Sequence, residues 1–156
     1  MDLMLSRGHT ALMPAILLRA PCSLPAEPLR MTDTRTARIG LSESGLLIVR
    51  IRTGLHQSLA DAKVNLAVAL SETAGRHRPL LVDIRTGRQP IDADVRHHYS
   101  GQTLVEGFSA LALLVEASPL GRMMGNVYLR IARPGIPTQL FSDEARALEW
   151  LIEYRL

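Results

Sequence analysis

The side chains best suited to chemistry lie around a short apolar run at residues 80–84, which predicts a buried strand. Asp83 lies within this run, and Asp92 stands at the start of the helical pattern that follows. Because open α/β sheets place ligands beyond the carboxyl ends of their strands, we expect the polar groups here to converge. This candidate strand-end site comprises Asp83, Arg85, Thr86, Arg88, Asp92, Ala93, Asp94 and Arg96. A polar strand end held by ordinary salt bridges accounts for the same residues, and we favour that interpretation.

Other patterns that could support catalysis or metal binding are incomplete. His97 and His98 are adjacent, so on a helix they project about 100° apart and do not share one metal ion. Gly121 and Gly125 lie four residues apart, but the Gly-Lys-Ser/Thr ending of a phosphate loop is missing. No serine has the Gly-x-Ser-x-Gly context of a hydrolase. We therefore expect no catalytic residue, no metal site and no cofactor, and hence a protein that is not an enzyme.

Apolar residues in the second half of the chain suggest a different kind of site. Met123 and Met124 lie on a helical pattern, and methionine adapts to irregular apolar surfaces. An apolar ligand pocket or a groove for a partner is one interpretation, and ordinary core packing is the interpretation that we favour. The candidate pocket residues are Phe108, Leu113, Met123, Met124 and Trp150.

The composition indicates a single globular domain. The chain has 156 residues, 47% of them hydrophobic, which is enough for one core and too short for two comfortable domains. The formal net charge is only +3, and the 18 basic residues, all arginine except Lys63, are spread along the chain, so we expect no nucleic-acid partner. Cys22 is the only cysteine, which excludes an internal disulfide and favours a cytoplasmic location. No apolar stretch approaches the roughly 20 residues that span a bilayer.

The first thirty residues differ from the rest of the chain. They contain four prolines and show no sustained helical or strand period. We expect residues 1–33 to be a disordered leader or a mis-annotated start, with Met31 as the true initiator, and residues 34–156 to form the domain. The apolar stretch 11–18 has no basic cluster before it, which argues against a signal peptide.

Within the domain, strand and helix patterns alternate. Apolar runs at 38–41 and 46–52 flank a polar turn and predict a β-hairpin. A helix is expected from Ser58 to Gly75, with Asp61 completing a capping box. Strands at 80–84, 108–115 and 138–141 then alternate with helices that begin at Asp92, Ser118 and Ser142, the first of them running to about Val105. The predicted fold class is α/β: a β-hairpin followed by alternating units, with a mixed sheet of four to five strands and about four helices.

Particular segments make this order similar to a known family. They are residues 78–83, 121–126 and 137–145, together with Trp150 and Leu151. With these segments, residues 36–156 resemble the STAS domain of the SpoIIAA-like family, which comprises bacterial anti-sigma-factor antagonists and relatives described as STAS or SEC14-like. The resemblance implies a STAS fold and a regulatory role in the bacterial cytoplasm.

The resemblance also identifies a position where this chain departs from the family. In STAS antagonists, a serine at the start of the helix after the Asp83-type strand accepts a phosphoryl group from a partner kinase. Ala93 occupies the corresponding position here and has no hydroxyl, so the usual phosphorylation switch is not expected. Asp94 as a mimic of the charged state and Thr86 as a substitute acceptor are alternatives, beside a simple helix-dipole role for Asp94.

Fold resemblance and the lack of a catalytic constellation predict a non-enzymatic regulatory or scaffold module that acts through contacts with an unknown protein partner. The SEC14-like description implies an alternative, a small binding domain for a lipid or other apolar ligand. A homodimer is a further expectation, because an exposed hairpin edge invites strand pairing.

Overall fold

The computed structural model describes residues 30–87, 90–132 and 135–155. These residues form one six-stranded mixed sheet, in which the strands lie side by side in chain order. The strands are β1 Thr32–Asp33, β2 Ala37–Leu41, β3 Leu47–Ile51, β4 Arg78–Asp83, β5 Phe108–Leu114 and β6 Thr138–Phe141. The helices are α1 Leu59–Glu72, α2 Ala93–Tyr99, α3 Gln102–Gly107, α4 Pro119–Ala132 and α5 Glu144–Ile152. None of these helices is long and apolar enough to cross a membrane.

The predicted hairpin is confirmed. Strands β2 and β3 pair in antiparallel fashion, with Leu41 opposite Leu47. Gly45 in the connecting turn has a φ of 82°, a conformation that glycine adopts without strain. The Ser42 hydroxyl accepts a hydrogen bond from the Leu46 amide at 3.0 Å, which closes the turn from inside.

A short first strand was not predicted. Thr32 pairs with Ile39 across β1 and β2, and Asp33 binds the Arg52 guanidinium at 2.8 Å. Residues 32–33 therefore belong to the sheet, and not to the predicted leader; residues 1–29 lie outside the described residues. Because β1 pairs with β2, the hairpin is not the outermost part of the described sheet. β1 covers the edge of β2 only at Arg38 and Ile39, and the homodimer stays a prediction.

The remaining strands form the parallel half of the sheet. From β3 to β6 each strand pairs in parallel with the next, and each connection contains one helix or more. The structure thus has the predicted α/β class, with a hairpin leading into alternating units. The predicted capping box of α1 is also confirmed, since Ser58 and Asp61 each bind the other's backbone amide.

Two helix boundaries differ from the sequence prediction. The single helix expected from Asp92 to Val105 is divided into α2 and α3, because the chain leaves the helical path at Ser100 and Gly101 becomes the N-cap of α3. The last helix is capped by Asp143, and not by Ser142. The Asp143 carboxylate accepts a hydrogen bond from the Arg146 amide at 3.0 Å.

Alternating side chains of the strands give the sheet two apolar faces. One face packs against α1 and α3 through a cluster that includes Leu66 and Leu104, and we call it the front face. The other face, the back face, packs against α5 through Leu148 and Leu151. The strands are therefore covered on both sides, as expected for a mostly parallel sheet.

Candidate functional site

The front face of the sheet does not pack fully against its helices. A cavity of about 280 Å³ lies between strands β3 to β5 and helices α1 to α4. Its floor is formed by apolar side chains that alternate along the strands, namely Val49, Ile51, Leu80, Val82, Leu111 and Leu113. Because these side chains point to the same side of the sheet, they form a continuous apolar surface beneath the cavity.

Helix α4 forms one wall of the cavity. Met123, Met124 and Val127 line the space, yet 57% of the Met123 surface and 48% of the Val127 surface remain exposed. Among the other elements, α4 makes contacts chiefly with α2 and β6. The apolar side of this helix therefore borders both the cavity and the solvent, so that the cavity has an open mouth.

Four of the five predicted pocket residues lie around this cavity. Phe108, Leu113, Met123 and Met124 are part of its lining. The prediction for Trp150 is wrong, because α5 carries this side chain to the back face. There its ring lies 4.7 Å from that of Tyr154 and 5.6 Å from that of Phe141.

A set of hydrogen-bonded polar side chains lies beside α1 and α2, and three of them, Gln57, Asn65 and Tyr99, line the cavity. The Gln57 amide donates to the Tyr99 hydroxyl at 3.0 Å, and the Asn65 amide donates to Thr36 Oγ1 at 2.9 Å. The Thr34 hydroxyl in turn donates to the Asn65 carbonyl oxygen at 2.6 Å. These bonds satisfy side chains that would otherwise be costly to bury.

Tyr99 remains a neutral hydroxyl over the physiological range. Burial raises its pKa to about 12, although hydrogen bonds with Asn65 and Gln57 partly oppose this effect. Gln57 and Asn65 are not among the residues that the sequence predicts for a site. One signal was present, since Asn65 lies three residues after Ala62 and one before Leu66, within the apolar stripe of α1.

Arg96 also lines the cavity. Its Nη1 donates to the carbonyl oxygen of Ile91, whereas its buried Nε has no hydrogen-bond partner among the described residues. Gln57, Asn65, Tyr99 and Arg96 give an otherwise apolar cavity its hydrogen-bonding groups. The chemistry that this arrangement supports is the burial of an apolar molecule with a few polar contacts.

Most of the predicted strand-end site does not converge as expected. Asp83 and Arg85 do meet, with Arg85 Nε 3.0 Å from Asp83 Oδ1 and Arg85 Nη2 2.7 Å from Asp83 Oδ2. Arg50 and Glu144, which the sequence does not predict for this site, complete the group. Arg50 lies 2.9 Å from both Asp83 and Glu144, and Arg85 lies 2.9 Å from Glu144. We call these four residues the ion cluster.

The ion cluster is a balanced set of two acids and two bases. Burial raises the pKa of Asp83, but hydrogen bonds from Arg85 and the charges of Arg85 and Arg50 outweigh burial, so that the net pKa is lowered. The cluster joins β3, β4 and the first turn of α5. Its geometry therefore favours the structural interpretation, a salt-bridged strand end.

The other members of the predicted site lie apart from the ion cluster. The Thr86 hydroxyl donates to the Ile51 carbonyl at 3.1 Å, and Asp92 lies 3.0 Å from the His56 ring, although no side-chain bond from Asp92 caps α2. Ala93 is exposed at the first position of α2, and Asp94 accepts a hydrogen bond from the Val95 amide at 2.8 Å. Arg88 lies outside the described residues.

The described parts of the chain hold no group of three His, Cys, Asp or Glu side chains that could bind a metal ion. In a comparison with protein families, residues 40–155 match the family model described as Domain of unknown function (DUF7793). The chain belongs to this family. The part that matches the DUF7793 model includes every strand and helix around the cavity as well as the ion cluster, and it leaves β1 outside. No curated protein and no solved structure matches the chain.

Proposed function

We propose that this member of DUF7793 is a small, non-enzymatic binding domain for an apolar ligand. The observation that carries the proposal is the cavity of about 280 Å³, which has an apolar floor and an open mouth beside α4. Protein interiors are normally packed as densely as organic crystals, so a space of this size needs an explanation. Ligand sites have this combination of apolar walls and a few polar groups.

The energetic cost of an empty cavity supports the same proposal. At about 24 cal/mol per Å³, an enclosed void of this volume would cost on the order of 7 kcal/mol. That figure is an upper bound for a space with an open mouth, but it is comparable with the whole stability of a typical domain, about 5–15 kcal/mol. An apolar occupant would recover much of this free energy.

The volume also limits the size of the ligand. If each methylene-sized group takes about 30 Å³, which is the share of a water molecule in the liquid, the cavity accommodates about nine such groups. The fitting ligands are therefore medium-length chains or one to two fused rings. A long phospholipid tail would have to extend through the mouth beside α4.

A neutral environment-sensitive dye tests this function. We expect 1-naphthylamine, whose two fused rings match the volume of the cavity, to bind the purified chain with one-to-one stoichiometry and a blue-shifted, enhanced fluorescence, because the cavity shields it from water. Displacement of the dye by decan-1-ol should restore the initial signal. If the dye shows no saturable binding, the proposal is wrong.

One observation favours a second function, the regulatory or scaffold module that acts through protein contacts. Leu120, Met123 and Val127 recur at spacings of three and four on α4 and are 61%, 57% and 48% exposed. Rows of exposed apolar side chains frequently mark interaction surfaces. We expect a partner captured from native lysate to be lost with Leu120→Glu and retained with Asn126→Glu. Equal capture by both variants, or no specific capture, would remove the support for this function.

Two further proposals accompany these functions. Kinship with STAS domains is supported by the hairpin followed by parallel β–α units, while Ala93 leaves the family's phosphoacceptor position without a hydroxyl. A cytoplasmic location is supported by the single cysteine.

A further inference from the structure

Among the described cavity-lining residues, Arg96 is the only one with a formal charge. No carboxylate of the described residues forms a salt bridge with it, and the cavity wall contains no described acidic side chain. Arg96 is half-buried, so water solvates its charge only in part, and an anion in the cavity would compensate the rest. A bound ligand is one source of such an anion.

The arginines of this chain show how a carboxylate is bound. Arg85 presents its Nε and Nη2 atoms to the two oxygens of Asp83, and Arg35 presents the same pair of atoms to Asp61. This two-point geometry matches the planar guanidinium to a planar carboxylate. In Arg96, by contrast, Nη1 is bound to the Ile91 carbonyl, and the buried Nε has no partner among the described residues.

An unpartnered Nε alone is not sufficient evidence. The buried Nε of Arg52 also has no partner, but its Nη2 binds Asp33 at 2.8 Å and the side chain does not line the cavity. Arg96 differs because it combines a position in the cavity wall, an unused Nε and the lack of a carboxylate partner among the described residues.

We propose that Arg96 binds the head group of a medium-chain carboxylate whose apolar chain fills the cavity. This inference rests on the proposed function and specifies its ligand class. The Nε of Arg96 is shut off from solvent, so the guanidinium has to turn about its terminal bonds to present Nε and Nη2 to the ligand. The chain of the ligand lies over Val82 and Leu113, where burial supplies most of the binding free energy.

Isothermal titration calorimetry with two ligands of equal chain length, decanoate and decan-1-ol, tests the inference. We expect the wild-type chain to bind decanoate at least about tenfold more tightly, because a charge-assisted two-point contact contributes on the order of one factor of ten or more. Arg96→Met should remove this preference and leave the affinity for decan-1-ol within about twofold. Arg96→Lys should retain part of the preference, since lysine keeps the positive charge but lacks the planar guanidinium that makes the two-point contact.

Arg122→Met is the matched control, because Arg122 is an exposed arginine of α4 that does not line the cavity. This variant has the same change in net charge and should keep the wild-type preference. Equal wild-type affinities for the two ligands, or an equal loss in both methionine variants, would overturn the role of Arg96. If neither ligand binds, the proposed function itself fails, whereas binding of decan-1-ol without a preference for decanoate overturns only the present inference.

Discussion

Val82→Phe strongly weakens binding of the neutral dye and raises the melting temperature of the ligand-free chain. Val82 lies in the middle of the cavity floor, in register with Val49 on β3 and Leu113 on β5. A phenyl ring at this position occupies space that the ligand would otherwise fill. We expect at least about a tenfold loss of affinity, together with a gain of about 1 kcal/mol in the free energy of unfolding, as is typical of cavity filling.

The matched control is Val64→Phe, the same substitution at an α1 residue that is 53% exposed and does not line the cavity. It should leave both dye affinity and melting temperature near wild-type values. A phenyl ring that does not fit would instead strain the sheet and lower the melting temperature. Ala69→Leu, which fills the same cavity from α1, then serves as the second variant. Unchanged dye binding in Val82→Phe, or a loss in Val64→Phe, would contradict the assignment of the cavity.

Asp83→Asn lowers the stability of the chain at neutral pH and weakens its sensitivity to acid. Asp83 has the least exposed side chain of the ion cluster. On substitution, the guanidinium groups of Arg50 and Arg85 both lose a negatively charged partner. Breaking a charged hydrogen-bonded pair of this kind costs about 2 kcal/mol, because the remaining charges are less well compensated. Urea unfolding at about pH 7 measures this loss.

The acid dependence follows from the lowered pKa of Asp83. A carboxyl whose folded pKa lies below its unfolded value of about 3.9 contributes stability above that pH, and the contribution is lost as the pH falls through the folded value. The free energy of unfolding of the wild type should therefore decrease as the pH drops below about 4. Asp61 adds to this decrease, because Arg35 and Ser58 also lower its pKa. The Asp83→Asn curve should be flatter there.

Glu149→Gln is the control for this experiment, since Glu149 is exposed on α5, the helix that carries Glu144. The free energy of unfolding of this variant should depend on pH in the acid range as that of the wild type does. If Asp83→Asn and the wild type lose the same free energy between about pH 5 and pH 3, the ion cluster does not act as described.

Local signals predicted most of the secondary structure. Ser58 and Asp61 fix the start of α1 through bonds between near neighbours, and the hairpin follows from a polar turn between alternating runs. The break between α2 and α3 was missed because Gly101 is a weak interruption of a continuous helical pattern. Ser142 and Asp143 are both good caps, and the sequence does not show which one the helix uses.

The candidate sites depend on contacts between distant parts of the chain. Asp83 and Arg85 are two residues apart and were predicted together. Arg50 and Glu144, which complete the ion cluster, are 94 residues apart from each other along the sequence. Trp150 was assigned to the pocket because an apolar helix residue does not reveal which face of the sheet it covers. The apolar character of Leu113 and Met123 could be predicted, but the space between them depends on how α4 sits over the sheet.

The central claim is that an apolar ligand enters the cavity on the front face. Methyl-resolved NMR during a titration with decan-1-ol tests it most directly, because both faces of the sheet carry methyl groups. We predict that the methyl signals of Val82, Leu113 and Met124 shift together and saturate at one equivalent, while those of Leu81 and Leu151 on the back face do not move. Equal shifts on both faces, or no shift at Val82 and Leu113, would contradict the account.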